Sequence, residues 1–337
     1  MVYDERLLKV PLPTDLLRRM DQLLVARVGG YETRTQFVHA AIKALVADLD
    51  PASPPAKREK PITPGMEAQT RPRLDEAVSD LTTTALILPS HVAFIDKGDA
   101  TIDDSPLFGL HNRDYPTLWA AVKLAELSRV DLVPFDSFVK LTTERAWQIA
   151  RVFAGSSVNG LKLTALFPSN EQKRQSSEQA FASFALGSVV AREGTLRATG
   201  ALFQWQLAQV RKTDGSCMIG LTRQGFDLLH ELEGLSLNLP HSPSQFESFF
   251  RHLRRWCSAD ADCWLQALTL VGASPTREEA LRSFQREHQQ WSPIQTSTNL
   301  AGYISRGREW GLIEPKQVDG RYRLTPFGVK VIRKAVA

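Results

Sequence analysis

Two stretches of the chain carry the same phrase. Residues 214–229 read DGSCMIGLTRQGFDLL and residues 319–332 read DGRYRLTPFGVKVI. Each begins with Asp-Gly, the dipeptide of a tight two-residue hairpin turn. Each continues through a half-apolar run to Leu-Thr, then a glycine, then the apolar start of a helix. Asp214-Gly215 answers to Asp319-Gly320, Leu221-Thr222 to Leu324-Thr325, Gly225 to Gly328 and Leu229 to Ile332. Self-similarity of this kind predicts one structural unit used twice, a hairpin followed by a closing helix.

The helices expected before each hairpin complete the unit. "TLWAAVKLAELS" and "FDSFVKLTTERAWQIARVFAG" carry apolar residues at helical spacing, and "SSEQAFASFALGSVVA" is read as a further helix. A strand-like run, "ALFQWQLAQVRKTDG", leads into the first hairpin. The later copy is cleaner: "CWLQALTLVGA", "SPTREEALRSFQREH" and "SPIQTSTNLAGYISRGREWGLIE" read as three helices. The second has Thr276 and Glu279 as a capping box; the third opens with Ser292, Pro293 and Gln295 in capping positions. Helices, a hairpin and a closing helix are the order of a winged helix.

At one hundred degrees per residue the third helix puts Ser297, Leu300, Ala301 and Ile304 on one face. Gln295, Asn299 and Arg306 fall on the other, with Thr298 and Tyr303 at the flank. Gln and Asn bond adenine bidentately and Arg bonds guanine, so that polar face is predicted to read a major groove. Arg321 and Arg323 follow the hairpin turn, where they would hold phosphates or enter a minor groove. The phrase DGRYRLTPFG resembles the wing and following helix of MarR-type regulators over a few dozen residues.

The N-terminal segment adds a different module. Leu8, Val10 and Leu12 alternate with Lys9 and Pro11 as in a short strand. Leu16, Leu17, Met20, Leu23 and Leu24 then form a helical stripe that stops at Gly29-Gly30. Thr33-Arg34-Thr35-Gln36 caps a second helix with a buried face of Phe37, Val38, Ala41, Ile42, Leu45 and Val46. A strand and two short helices cannot close a core alone, so this unit is expected to pair with a second copy.

That order resembles the ribbon-helix-helix DNA-binding fold of bacterial and archaeal repressors, over roughly the first fifty residues. The resemblance implies a homodimer whose paired strands enter the major groove of double-stranded DNA. It places Lys9 toward the base edges with Arg6 at the start of the ribbon. Thr33, Arg34 and Thr35 would hold phosphate at the second helix's N-terminus. Pro11 departs from the pattern: it takes a groove-facing strand position and removes a ladder donor. Base readout is then weakened, or the module serves for dimerisation.

Between these modules, residues 51–75 are rich in Pro and basic side chains without apolar period and read as a flexible linker. Residues 76–235 form a mixed region ending in the first winged-helix-like unit, and 236–337 the second. The fold class expected is mainly α with small β, a ribbon-helix-helix dimerisation module plus two winged-helix domains. Asp96, Asp99, Asp103 and Asp104 lack the ligand spacing of a calcium loop and are assigned to surface loops.

Catalytic constellations are thin. No phosphate loop, HExxH, GxSxG or strand-bound GxGxxG occurs, and His111 in "GLHNRDYP" is read as structural. Three cysteines without ligand spacing argue against a zinc site or disulfide framework, and no signal peptide or membrane-spanning run is found. A net charge of +4 is compatible with a polyanionic partner. The reading is a cytoplasmic, non-enzymatic, cofactor-free homodimer that binds specific DNA as a prokaryotic transcriptional regulator. The alternative is a DNA-binding adaptor of a plasmid partition or replication, mobile-element or defence complex whose winged helices bind protein.

Overall fold

The computed structural model describes residues 85–107, 113–153, 157–158, 161–162, 167–192, 194–237 and 241–336. All of them belong to one compact unit, Thr84–Ala337. The ribbon, the paired helices and the linker expected over 1–75, and with them Arg6, Lys9, Thr33, Arg34 and Thr35, lie outside the described residues, as does His111.

The unit is mainly helical with small sheets. Its first half begins with β1 (Ala100–Ile102), α1 (Tyr115–Leu127), β2 (Val133–Pro134) and α2 (Phe135–Val152). A two-residue pair, β3 (Ser157–Val158) and β4 (Leu161–Lys162), follows. Then α3 (Arg174–Phe181) runs on as a π-helical turn, Ala182–Leu186, into the hairpin β5 (Ser188–Arg192) and β6 (Thr195–Thr199). A single helical turn, α4 (Ala201–Gln204), leads to the hairpin β7 (Ala208–Thr213) and β8 (Ser216–Leu221), and α5 (Arg223–Glu231) closes the half. β2 joins β8 on its free side, giving the antiparallel order β2-β8-β7; β1 joins β6 in parallel, giving β1-β6-β5.

The second half comprises α6 (Pro243–Trp256), α7 (Ser258–Gly272), α8 (Arg277–Glu287), α9 (Pro293–Glu309) and α10 (Pro326–Val336). Capping boxes at Ser242–Gln245, Thr276–Glu279 and Ser292–Gln295 start α6, α8 and α9 by satisfying free backbone donors from both directions. Between α9 and α10 isolated bridges Ile313↔Leu324, Val318↔Arg321 and Thr276↔Arg321 replace a full sheet.

The expected hairpins are present and alike in detail. Asp214 and Gly215 have φ of 49° and 80°, Asp319 and Gly320 54° and 70°, so both turns need the left-handed pair that Asp-Gly supplies. Thr222 N donates to Leu207 O and Thr325 N to Leu312 O, each at 3.0 Å. Each threonine hydroxyl then accepts from the glycine three residues on, Gly225 or Gly328, at 3.0 Å. A Cβ on either glycine would strike the carbonyl oxygen of the same leucine, Leu207 or Leu312. The glycines repeat because helix and strand backbones touch there.

Two expectations are corrected. The helix read over "SSEQAFASFALGSVVA" ends at Leu186, and Ser188–Arg192 is a strand. Gly187 at φ 90° turns the chain; a Cβ there would strike Thr199 O and the Phe203 ring, and one on Gly200 would strike the Gly187 backbone. The strand-like run at "ALFQW" is instead helical over Ala201–Gln204, where Ala201, Leu202 and Phe203 are buried. Residues 85–107, with no period of their own, are laid over the first half. Leu86 N donates to Leu235 O (2.8 Å), Ile95 N to Leu221 O (2.9 Å) and Asp99 N to Val210 O (2.8 Å).

The four aspartates of that strap stitch the unit together. Asp96 pairs with Arg223 at 3.2 Å and Asp103 with Arg197. Asp99 accepts from Lys212 N at 2.8 Å, and Asp104 accepts from Ala259 N at 3.2 Å, capping the start of α7.

Candidate nucleic-acid interface

α9 is the helix expected to read bases. Its buried residues are Thr296, Asn299, Leu300, Gly302, Tyr303, Ile304, Arg306 and Gly307, an arc much wider than one core face. One side packs on α7 and α8 of its own half. Asn299, Tyr303 and Arg306 are also turned into the protein, where Tyr303 and Arg306 meet Asp260 of α7.

Three of the expected reader positions are therefore corrected. Arg306 is 1% exposed; its two terminal nitrogens grip Asp260 at 3.1 and 3.0 Å and its Nε lies 2.6 Å from Asp114 Oδ1. Burial alone would lower the guanidinium's pKa, but the Asp114 and Asp260 carboxylates outweigh it and raise it. Tyr303 donates to Asp260 Oδ1 at 2.8 Å, and burial together with that carboxylate raises its pKa. Asn299 is 3% exposed. Tyr303 and Arg306 are polar because they meet buried carboxylates, Asp260 of α7 in their own half and, for Arg306, Asp114 of the first half.

The other three positions stay on the surface. Gln295 is exposed at the first turn of α9, where its side-chain oxygen accepts from Ser292 N at 2.9 Å. Arg321 is exposed and donates to Ser274 O (3.0 Å) and Glu279 Oε2 (3.2 Å). Arg323 is exposed and reaches Asp319 Oδ2 at 3.3 Å.

The outward face of α9 is consequently a different one. Ile294, 79% exposed, leads it, and Thr298, Ala301, Ser305 and Arg308 follow at helical spacing. Ala301, expected in the core, is on this exposed face. The first half presents other exposed cations: Arg211 and Lys212 on β7 beside its turn, and Arg192 on the inserted hairpin. Lys316 stands beside the second turn.

Among the described residues no group of three or more His, Cys, Asp or Glu side chains is arranged to hold a metal ion, and no helix is long and apolar enough to cross a membrane. The cysteines are free thiols: Cys217 is half-buried and Cys257 and Cys263 are buried. Burial pushes Cys263 up to about 12 and raises Cys257 further above the ordinary thiol range, so both stay protonated and unreactive.

Sequence reasoning missed α6, although "SPSQ" at its start matches "SPIQ" at the start of α9. The inserted β5–β6 hairpin also went unread, its signal being the glycines at 187 and 200 that bracket it. Comparison with models of known protein families, with curated proteins and with solved structures finds no match.

Proposed function

We propose that this chain is a homodimeric, sequence-specific DNA-binding protein acting as a transcriptional regulator, whose folded unit carries two winged-helix modules. The observation that carries the proposal is the doubled unit of helices, Asp-Gly hairpin and closing helix with cations at its turns. Arg211 and Lys212 stand at the first turn and Lys316, Arg321 and Arg323 at the second. The outward face of α9 supports it as well, since Ile294, Gln295, Thr298 and Ala301 bear no carboxylate. Gln bonds adenine, while Ile, Ala and the threonine methyl suit the thymine methyl group, so this face favours A·T pairs in a major groove. The N-terminal module supplies dimerisation, a ribbon that turns Lys9 toward base edges with Arg6 at its start, and phosphate contacts through Thr33, Arg34 and Thr35.

The test is binding of the full-length protein, and of a fragment beginning at Arg73, to duplex from upstream of its own gene and to scrambled duplex across a salt series. A preference of about a thousandfold at physiological salt is expected for a regulator. The logarithm of affinity should fall linearly with that of salt as phosphate contacts release counterions. Equal, weak binding to both duplexes overturns it.

One observation favours the second reading, an adaptor whose folded unit holds protein. Arg306 is consumed in the interior, and Arg321 and Arg323 are committed to Glu279 and Asp319. A fragment silent toward DNA beside a full-length protein that binds it would assign the contact to the N-terminal module.

A further inference from the structure

Trp205 and Trp310 occupy matching places in the two halves. Each is followed by a residue of positive φ, Gln206 at 56° and Gly311 at 68°, and then by the leucine whose carbonyl receives the threonine N–H. Asp114 and Asp260 also match: each lies at the start of a helix, α1 or α7, about one turn ahead of a buried tryptophan, Trp119 or Trp264. Across the boundary the bonds are exchanged. Trp205 Nε1 donates to Asp260 Oδ2 at 3.2 Å, and Trp310 Nε1 donates to Asp114 Oδ2 at 2.7 Å.

Such reciprocity is the mark of an isologous contact, in which residue i of one copy meets j of the other and j meets i. A head-to-tail arrangement would make only one of the two bonds. Phe249 of α6 lies between the tryptophans, edge-on to Trp205 and stacked on Trp310, both at 5.2 Å. Arg306 reaches both aspartates at once. Its counterpart four residues before the other tryptophan is Ala201, fully buried. Near a two-fold axis there is room for one guanidinium serving two carboxylates, and a second would place like charges together.

We infer that the two halves are an isologous pair fused in one chain about an approximate two-fold axis at Asp114, Arg306 and Asp260, and that the duplex each chain fits carries inverted rather than direct half-sites. The second clause rests on the DNA-binding proposal. The pair is not fully symmetric: the second half presents unbroken α9, where the first has the β5–β6 hairpin between its π-helical turn and α4. The two half-sites are then unequal, read through a helix on one side and through hairpins on the other.

The arrangement within a chain is tested by directed cleavage with the full-length protein bound to a duplex that it selects from random sequence. After Cys217→Ser, single cysteines at four exposed positions carry an iron chelate: Ser216→Cys and Gln317→Cys at the hairpins, Ser176→Cys and Ile294→Cys on the helices. Inverted half-sites put the cuts of one chain in mirror order along the duplex, with hairpin and helix of one half reflected by helix and hairpin of the other. An alternating order, hairpin-helix then hairpin-helix, overturns the inference and leaves sequence-specific binding standing. Failure to enrich any duplex over tenfold removes the DNA-binding proposal and the inverted site with it. Retention of the selected duplex, within about threefold, by the proteins labelled at Ser216, Gln317 and Ser176, which lie outside the proposed reading face of α9, shows that the labels leave the fold intact.

Discussion

The two halves of the folded unit share a hairpin, a threonine cap and a glycine contact, yet differ in the helix that precedes them. In the second half that helix is the continuous α9, Pro293–Glu309; in the first it is cut by a strand pair and resumes for only one turn, Ala201–Gln204. What is retained is the part where backbone touches backbone and no substitute fits. What diverged is surface that a hairpin can replace provided its ends close, as Gly187 and Gly200 allow by packing against each other. The comparison also shows how one arginine can serve both halves.

The largest effect is expected at that shared arginine. Arg306→Met leaves two buried carboxylates without their cation and should cost about 3–5 kcal/mol in urea unfolding. Arg321→Met, whose side chain is exposed beside an exposed Glu279, should shift the midpoint far less. Equal effects would mean that the centre of the pair carries no special weight.

Next come the glycines. Gly225→Ala and Gly328→Ala each drive a methyl into a leucine carbonyl, and each should destabilise by about 1–3 kcal/mol through forced backbone shifts. A tolerated change in one half with a damaging change in the other would break the equivalence of the two halves. Smaller still, Thr222→Val and Thr325→Val remove the hydroxyl that accepts from those glycines, at about 1 kcal/mol each. Paired melting curves of the two variants should nearly superimpose.

The smallest expected effect is a pH slope at the seam. His252 Nε2 donates to Trp205 O at 2.7 Å, and burial lowers its pKa from the usual 6.5. The unfolded chain then takes up a proton near 6.5 that the folded chain resists. Stability should be flat above that pH and decline below it, down to the folded pKa. His252→Gln keeps an N–H donor without the titration and should flatten the slope in melts between pH 7.5 and 5. A residual slope is expected from His288, whose pKa burial also lowers. An unchanged slope in His252→Gln would place the proton uptake elsewhere.

Local chemistry made much of this legible in the primary structure. Asp-Gly requires two left-handed residues and so announced both turns; Ser-Pro-x-Gln and Thr-x-x-Glu announced helix starts; Leu-Thr-x-x-Gly announced the strand-to-helix contact. These signals lie within a few residues, and their physics does not depend on what packs nearby. The ends of α3 and the turn at α4 were misread because burial of Ala201, Leu202 and Phe203 and the Gly187–Gly200 contact join positions distant in the chain. Arg306 shows the limit most plainly. Helical spacing set it correctly opposite Leu300 and Ile304, but spacing separates polar from apolar and says nothing of whether a polar face meets water, DNA or another half of the same protein. Only the tertiary structure brought Asp114 and Asp260 to it, because a buried cation is held by whichever carboxylates the fold delivers, not by its neighbours in sequence.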